Sequence, residues 1–215
     1  NLIINKHIFN RNIKSKLSKL NYNKELFFKK KIWNIYLLDK NNLNNIHFVY
    51  SICKKFKFSD NKIFKSLNKF KGLKFRKQII YNRGNLKIIN DSKSTSFSST
   101  TGLLSTYKNI HWIVGGMFKK GDKFSLNKKY YKNINAYIIG INKNYFVNQF
   151  KNKIKFRYFG NLRIAISIIK KEMKNDINKK TILFSPAAAS FDQFKNFEER
   201  GDYFNKIVRK IIIKN

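Results

Sequence analysis

The sequence has few of the residues that build disulfide frameworks, tight turns and acidic sites. It contains one Cys, one Pro, nine Gly and 11 acidic residues in a chain of 215. The single cysteine, Cys53, excludes an internal disulfide framework and a cysteine-based zinc site. The three histidines, His7, His47 and His111, are scattered, and we predict no metal site in this chain.

Long apolar runs are also lacking. No run approaches the ~18 residues that a membrane-spanning helix needs, so we expect no membrane partner. The first 20 residues carry no apolar stretch ahead of a small-residue cleavage site, and we expect no signal peptide. The sequence begins with Asn1 and not with Met, which is typical of a fragment or a processed product. Its length suits one large domain, or one domain and part of another.

Acidic residues are greatly outnumbered, because 47 Lys and Arg residues give a formal charge of +36. Such a charge suits nucleic-acid binding, since cations neutralise phosphates. Compositional drift explains it better: Lys, Asn, Ile, Phe and Tyr dominate the whole chain, and Lys is spread from Lys6 to Lys214. A dedicated binder concentrates its cations in one region. We therefore favour drift. We look for functional residues in the segments whose composition differs from this Lys- and Asn-rich background.

The pattern of apolar residues divides the chain near Lys71. Before this point we predict strands at 2–4 and 32–38 and helices at 42–56 and from Ser59 to about Gly72. After it we predict strands at 78–81, 86–90, 111–114, 136–141, 154–159 and 181–184, and helices at 97–107, 125–132, 145–150, 162–173 and 192–210. Strands separated by helices of this length imply βαβ units. The sequence therefore predicts an α/β fold, a Rossmann-like, mostly parallel sheet with helices on both faces, preceded by a fragment of a second α/β domain.

Three segments resist the compositional drift, and each follows a predicted strand. We name them the first turn (91–95, DSKST), the second turn (115–119, beginning Gly-Gly) and the third turn (185–190, SPAAAS). Ligands of parallel α/β sheets bind beyond the carboxyl ends of the strands. Hydroxyls, backbone N–H groups and Lys93 would suit a carboxylate or a phosphate there. Each segment alone is better explained as a helix cap or a tight turn, but three at one sheet edge favour a binding face.

The segment 115–124 also has the glycine spacing of a phosphate-binding loop. Gly116 and Gly121 are correctly separated, but Asp122 and Lys123 stand where Lys and Ser or Thr are required. An aspartate at this point would repel phosphate. The segment is therefore not a P-loop, and the sequence contains none elsewhere.

Four motifs occur in order along the chain: FKGLKFR (70–76), NDSKST (90–95), GGMFKKGDKF (115–124) and SPAAASFDQFKNFEERGDYF (185–204). With them the sequence resembles the D-glutamate-adding Mur ligases from about Asn41 to Phe204. The combination separates it from Mur ligases that add other residues and from folylpolyglutamate synthetases. The resemblance implies ligation of D-glutamate to UDP-N-acetylmuramoyl-L-alanine through an acyl phosphate, with ATP and Mg²⁺. That reaction is a cytoplasmic step of peptidoglycan synthesis, and so serves cell wall biogenesis, cell shape and cell division.

The resemblance also implies which residues bind the substrates. The D-glutamate pocket would comprise Lys93, Thr95, Lys119, Ser190 and Phe197, and the ATP side would comprise Asn42, Asn45, Arg76 and Asp91. None of these is expected to be a catalytic residue. The sequence departs from the family pattern at Asn41-Asn42, at Lys74-Phe75 in the motif GLPHR, and at Ser96. These departures affect the adenine side more than the glutamate side.

Enzymes of this family have a UDP-binding domain, a central ATPase domain and a Rossmann-like domain that carries the incoming amino acid. By the resemblance, residues 1–70 would end the ATPase domain and 71–215 would form the amino-acid-binding domain. The printed sequence contains neither the UDP-binding domain nor the P-loop half of the ATPase domain, which hold most of the metal and phosphate sites. We expect this chain to be inactive alone and the full-length enzyme to be a monomer without a specific nucleic-acid partner. The alternative is a non-catalytic basic binding module with nucleic-acid affinity.

Overall fold

Two units make up the chain, Asn1–Gly72 and Leu73–Asn215. The structure, a computed structural model, describes residues 2–4, 17–19, 25–34, 36–37, 40–174 and 176–213. In the first unit β1 (Leu2–Ile4) pairs in parallel with β2 (Leu17–Lys19). Three helices follow: α1 (Glu25–Lys31), α2 (Lys40–Lys55) and α3 (Asp60–Lys69).

The helices of the first unit bury one apolar core. Its members come from α1 and the residue after it, α2 and α3: Phe28, Ile32, Leu43, Ile46, Tyr50, Ile63 and Phe64. Ser59 caps α3 as predicted, because its side chain accepts a hydrogen bond from the Lys62 N–H. Capping satisfies a backbone donor that has no partner within the helix.

The predicted strand at 32–38 is wrong within its described residues. Ile32 to Asn34 are in no strand, and Tyr36 and Leu37 form a turn. Phe28 and Ile32 lie four residues apart and are both buried. The Ile32 N–H donates to the Phe28 carbonyl at 2.9 Å, so Ile32 completes the last turn of α1 instead of starting a strand.

The second unit alternates strands and helices. Its strands are β3 (Gln78–Arg83), β4 (Leu86–Asn90), β5 (Ile110–Gly115), β6 (Ile134–Ile139), β7 (Lys155–Gly160) and β8 (Lys180–Phe184). Its α-helices are α4 (Phe97–Thr106), α5 (Lys143–Phe150), α6 (Leu162–Met173) and α7 (Phe197–Val208). A 3₁₀ helix spans Lys128–Asn133, and a π-helical segment, Arg209–Ile213, follows α7.

The six strands form one sheet in the order β3-β4-β8-β5-β6-β7. Only the β3–β4 hairpin is antiparallel; all other neighbours are parallel. The strands alternate their side chains between two cores, so that Trp112 faces one core and Ile113 the other. Helices α4 and α5 cover the first core, and α6 and α7 cover the second. The predicted α/β fold, with a mostly parallel sheet and helices on both faces, is confirmed.

Helix α7 begins at Phe197 and not at Asp192 as predicted. Its N-cap is Asn196, whose side chain accepts a 2.8 Å hydrogen bond from the Glu199 N–H. Glu198 and Glu199 occupy its first turn, where carboxylates complement the positive end of the helix. Residues 191–196 form turns instead. The third turn is therefore separated from α7 by a short connection.

Within these described ranges, no helix is both long and apolar enough to cross a membrane. The same residues contain no group of three or more His, Cys, Asp or Glu side chains that could hold a metal ion.

Candidate functional site

The three turns lie at one edge of the sheet. The first follows β4, the second begins at the last residue of β5, and the third follows β8. In the sheet β8 lies between β4 and β5 and is parallel to both. Parallel neighbours end at the same edge, so the third turn lies between the other two. The convergence expected from the sequence is confirmed for the backbone.

Buried hydrogen bonds join the first turn to the third. The Asp91 N–H donates to the Phe184 carbonyl at 2.7 Å, and the Ser185 hydroxyl donates to Asp91 Oδ2 at 2.8 Å. The other oxygen of Asp91 accepts the Lys77 N–H at 3.0 Å. The Thr100 hydroxyl lies 2.8 Å from Ser185 Oγ and 2.6 Å from that of Ser94. Helix α4 thereby joins both turns through its first residues.

Backbone hydrogen bonds join the second turn to the third. The Gly115 N–H donates to the Pro186 carbonyl at 2.9 Å, and Met117 and Ala189 exchange two bonds of 2.9 Å. Gly116 has a φ of 133°, and a Cβ there would collide with the Ala189 carbonyl oxygen. The close approach of the two turns therefore requires glycine at this position.

The third contact comes from Arg200 on α7, which is 1% exposed. Its Nη2 donates to the carbonyl oxygens of Ser92 and Ala188, at 2.7 and 3.0 Å. Its Nε donates to the Ser92 hydroxyl at 3.1 Å. One guanidinium therefore holds backbone atoms of the first and third turns.

Burial controls the ionisation of the charged groups beneath the turns. Asp91 is 5% exposed, and this burial raises its pKa to about 6, although the Ser185 hydroxyl and the Lys77 N–H act in the opposite direction. Burial lowers the pKa of Arg200 to about 10, and the charge of Asp192 opposes that shift. Burial also raises the pKa of Asp192. In all three groups, burial in a poorly solvated environment disfavours the charged form.

Two of the residues predicted to bind D-glutamate are in contact. Lys93 Nζ lies 3.7 Å from the centroid of the Phe197 ring, and both side chains are half-buried. A cation over an aromatic face is attracted by the ring quadrupole. The Phe197 carbonyl accepts the Ser92 hydroxyl at 2.8 Å, so the start of α7 is bound to the first turn.

The other three residues of that set lie in the same turns but are less closely connected. Ser190 ends the third turn, is 2% exposed, and accepts the N–H groups of Gln193 and Phe194 at its carbonyl. Thr95 and Lys119 are exposed. Among the described residues, no hydrogen bond or ion pair links them to Lys93, Ser190 or Phe197. The structure therefore brings all five to the three turns or the helix beside them, and joins only Lys93 and Phe197 directly.

The residues predicted to face ATP are divided between the two units. In the first unit, Asn42 lies in the first turns of α2, where its amide donates to the Tyr36 carbonyl at 2.5 Å, and Asn45 is exposed. In the second unit Arg76 is exposed, whereas Asp91 is buried with both oxygens bonded within the protein. Asp91 therefore serves here as an internal acceptor at the base of the turns.

Sequence reasoning missed Arg200 and underestimated Phe75. Only seven of the 47 basic residues are arginines, so an arginine in the segment 185–202 was itself a signal. Phe75 stands where the family pattern GLPHR has histidine. It is buried, its carbonyl accepts the Lys93 N–H at 3.0 Å, and its ring meets that of Phe197 edge to face. The apolar replacement therefore supports the first turn by packing.

The arrangement combines a half-buried ammonium group, hydroxyls and backbone N–H groups at strand ends. These groups bind anions, and a carboxylate is the simplest ligand for them. The fold is an α/β sheet of mostly parallel strands, and in such folds ligands bind beyond the carboxyl ends of the strands, as at this edge.

Comparisons with known proteins identify the relatives. A UDP-N-acetylmuramoylalanine--D-glutamate ligase from Wolbachia pipientis wMel is 37% identical over 170 residues, which cover 79% of this chain and 33% of the relative. The ligase of the same name from Rickettsia prowazekii is 36% identical over 170 residues, covering 79% and 38%. No protein-family model matches the sequence. The chain is homologous to the D-glutamate-adding Mur ligases, and the resemblance expected from its motifs is confirmed.

Solved structures show the same fold. The UDP-N-acetylmuramate-alanine ligase MurC from Thermotoga maritima aligns with a TM-score of 0.55 at 14% identity, covering 80% of this chain and 38% of that one. MurF from Acinetobacter baumannii aligns with a TM-score of 0.57 at 14% identity, covering 78% and 38%. The chain spans about a third to two-fifths of the length of these four relatives.

Proposed function

We propose that this chain is the D-glutamate-binding part of a UDP-N-acetylmuramoyl-L-alanine:D-glutamate ligase, acting in the cytoplasmic synthesis of peptidoglycan precursors. The observation that carries the proposal is the junction of three turns at the ends of β4, β8 and β5. Each turn contains at least one residue that the family resemblance assigns to the glutamate pocket. D-Glutamate has two carboxylates, so it needs two cationic or hydrogen-bonding subsites at a fixed separation.

In this proposal Lys93 and Lys119 pair with the two carboxylates, and Thr95 and Ser190 donate hydrogen bonds to them. Phe197 forms a wall of the pocket. The Phe197 ring already holds the Lys93 ammonium, and a bound carboxylate would approach that ammonium from its open side. These residues bind and orient the amino acid, and none of them is required to exchange a proton with it.

The remainder of the reaction belongs to parts of the enzyme that the printed sequence does not contain. We propose that 1–70 ends the ATPase domain and that 71–215 is the amino-acid-binding domain of a monomeric enzyme. When bound, ATP would supply the phosphoryl group that activates the substrate carboxylate, and Asn42, Asn45, Arg76 and Asp91 would face it. Asp91 would first have to leave its internal partners. The described residues offer no cluster for Mg²⁺, so we assign the metal no ligand in this chain.

Calorimetric titration of the 215-residue chain with D-glutamate tests the binding role. We expect saturable binding that L-glutamate does not reproduce, weakened by Lys93→Met and by Ser190→Ala. Lys128→Met is the matched control, since Lys128 is exposed on the 3₁₀ helix, outside the three turns. Turnover is measured after adding the missing N-terminal part. Unchanged affinity and turnover in the Lys93 and Ser190 variants would show that the site is wrongly assigned.

A second candidate, a basic module that binds nucleic acid, rests on one surface feature. A cavity of about 850 Å³ is lined by four cations, with one acid and two amides: Lys74, Lys206, Arg209, Lys210, Asp202, Gln78 and Asn205. A salt titration of nucleic-acid binding decides between the candidates. Binding that persists near physiological ionic strength supports the basic module, and binding that disappears with added salt reflects bulk charge alone.

A further inference from the structure

Arg200 is a buried cation that is 1% exposed. Among the described residues, no acidic side chain lies within ion-pair distance of its guanidinium. The charge of Asp192 acts on it, and Asp192 Oδ2 lies beside the backbone of Gly140 and Ile141. A buried charge that lacks a counter-ion is costly, so its hydrogen bonds must offset the lost solvation.

The hydrogen bonds that this guanidinium makes with described residues all go to the turns at the sheet edge. Nη2 and Nε contact Ser92 in the first turn, and Nη2 also contacts Ala188 in the third. These partners are 108 and 12 residues away in sequence. The planar group therefore bonds two loops that are distant in sequence, in addition to the Ser185–Asp91 hydrogen bond that joins the same two turns.

The remaining nitrogen faces the second turn. Nη1 is buried and has no hydrogen-bond partner among the described residues. A Cβ built on Gly116 would lie 3.3 Å from it, so Nη1 lies against the Gly116 backbone. The guanidinium consequently contacts all three turns. It is bonded to the first and the third, and its Nη1 lies against the second without a hydrogen bond.

We propose that Arg200 is the positioning residue of the D-glutamate site. Lys93 directly follows Ser92, and Ser190 lies two residues after Ala188. By holding Ser92 and Ala188, Arg200 therefore sets the separation of Lys93 and Ser190. The inference rests on the proposed function, because it assigns a role within that pocket. Lysine could not replace it, since a single ammonium nitrogen cannot stand both at Nη2, which reaches the two carbonyls, and at Nε, which reaches the Ser92 hydroxyl.

The test compares Arg200→Lys and Arg200→Met with Arg163→Met in the same chain. Arg163 is exposed on α6 and serves as the matched control. We expect D-glutamate affinity to fall about tenfold or more in both Arg200 variants, with Arg163→Met unchanged. Urea unfolding accompanies each titration, so that affinity is compared for folded protein only.

A double-mutant cycle separates positioning from general stability. If Arg200 acts through Ser190, Arg200→Lys should weaken binding much less in a Ser190→Ala background than in the wild type. Equal losses in both backgrounds would overturn the proposal. Ser92→Ala removes the hydroxyl that accepts from Nε and donates to the Phe197 carbonyl, but it keeps the Ser92 carbonyl that accepts from Nη2, so we expect it to weaken binding without unfolding the chain. If both Arg200 variants fail to fold, the same cycle is run with Ser92→Ala and Ser190→Ala, and unchanged affinity or strictly additive losses would then refute the role.

The same experiments distinguish the two proposals. Absence of D-glutamate binding by the unmodified chain, with or without the N-terminal part, would refute the proposed function. Normal binding by the unmodified chain and by a folded Arg200→Met variant would leave that function intact and refute the positioning role.

Discussion

The Ser185 hydroxyl donates a 2.8 Å hydrogen bond to Asp91 Oδ2, across 94 residues of sequence. This bond joins the ends of β4 and β8 inside the protein and leaves a carboxylate where solvent does not reach. Since burial raises the Asp91 pKa to about 6, the folded protein binds this proton more tightly than the unfolded chain does. The junction of the first and third turns is therefore sensitive to pH.

We predict that Asp91→Asn stabilises the second unit at neutral pH. Between the ordinary aspartate pKa of about 3.8 and the folded value of about 6, the folded state holds more protons, so wild-type stability falls as pH rises. Asparagine accepts the Lys77 N–H and donates to Ser185 without a charge. The variant should gain about 3 kcal/mol over the wild type at pH 7.5 and little at pH 4. Urea unfolding at both pH values measures this, with the exposed Asp202→Asn as control. A difference that does not vary with pH would contradict it.

The parts of the site that could be predicted are those marked by a short stretch of unusual sequence. The first turn and the third were recognisable because DSKST and SPAAAS depart from a Lys- and Asn-rich background. Their convergence followed from the alternation of strands and helices, which brings the ends of parallel strands to one edge. Glutamate-pocket residues such as Lys93 came from the family resemblance, and their roles stay predictions.

Other features depend on packing that no local pattern reports. Arg200 meets Ser92 across 108 residues, and its burial becomes visible only when α7 lies on the sheet. The start of α7 was misplaced because the acidic segment after Ser190 suits both a helix and a run of turns; the cap at Asn196 decides between them. At the start of 32–38, the hydrogen bond from the Ile32 N–H to the Phe28 carbonyl, one helical turn earlier, takes Ile32 out of the strand that its composition suggests.

His111 provides a second prediction about pH, of opposite sign. Burial lowers its pKa below the ordinary value of 6.5; Glu172 and Asp176 oppose the shift, whereas Lys180 and Arg157 add to it. Its Nδ1 lies 2.8 Å from the Tyr137 hydroxyl, which donates to Glu172. As pH falls below 6.5, the unfolded chain takes up the proton first, so wild-type stability falls by up to about 1.4 kcal/mol per pH unit.

Nuclear magnetic resonance titration of the three histidines measures this pKa directly. We expect His111 to titrate below 6.5 in the folded chain and His111→Gln to lose the corresponding dependence of unfolding free energy on pH. A His111 midpoint at or above 6.5 would show that its surroundings do not disfavour the charged form. The direct titration also avoids interference from Asp91, whose contribution changes in the opposite direction over an overlapping pH range.

Two glycines should respond in opposite ways to alanine. Gly116→Ala places a side chain at a φ of 133° and against the Ala189 carbonyl, so we expect a loss of about 3 kcal/mol or more. Gly102 lies within α4, where a Cβ would meet nothing within 4 Å. Gly102→Ala should therefore gain about 0.5–1 kcal/mol through helix propensity. Thermal unfolding monitored by circular dichroism compares them, and similar shifts for both would contradict the close approach of the second and third turns.

The contact between Gly201 and Phe75 gives the last prediction. Gly201 lies within α7, where alanine would ordinarily stabilise the helix by about 1 kcal/mol. Here a Cβ would run into the ring of Phe75, which is 3% exposed and cannot move aside without disturbing its contact with Phe197. We expect Gly201→Ala to cost about 2 kcal/mol net, because overpacking outweighs propensity. Phe75→Ala should also destabilise the unit, by about 3 kcal/mol, because it leaves a cavity.

Combining the two substitutions separates overpacking from a general intolerance of α7 to change. Phe75→Ala removes the ring that the new Cβ would strike, so the double variant should be at least about 1 kcal/mol more stable than the sum of the single losses predicts. Urea unfolding of the four proteins in the cycle measures that coupling. Strictly additive losses would mean that alanine at 201 is tolerated or rejected for reasons unrelated to Phe75. The packing of the 70–76 motif against α7 would then not explain why this helix carries glycine at its centre.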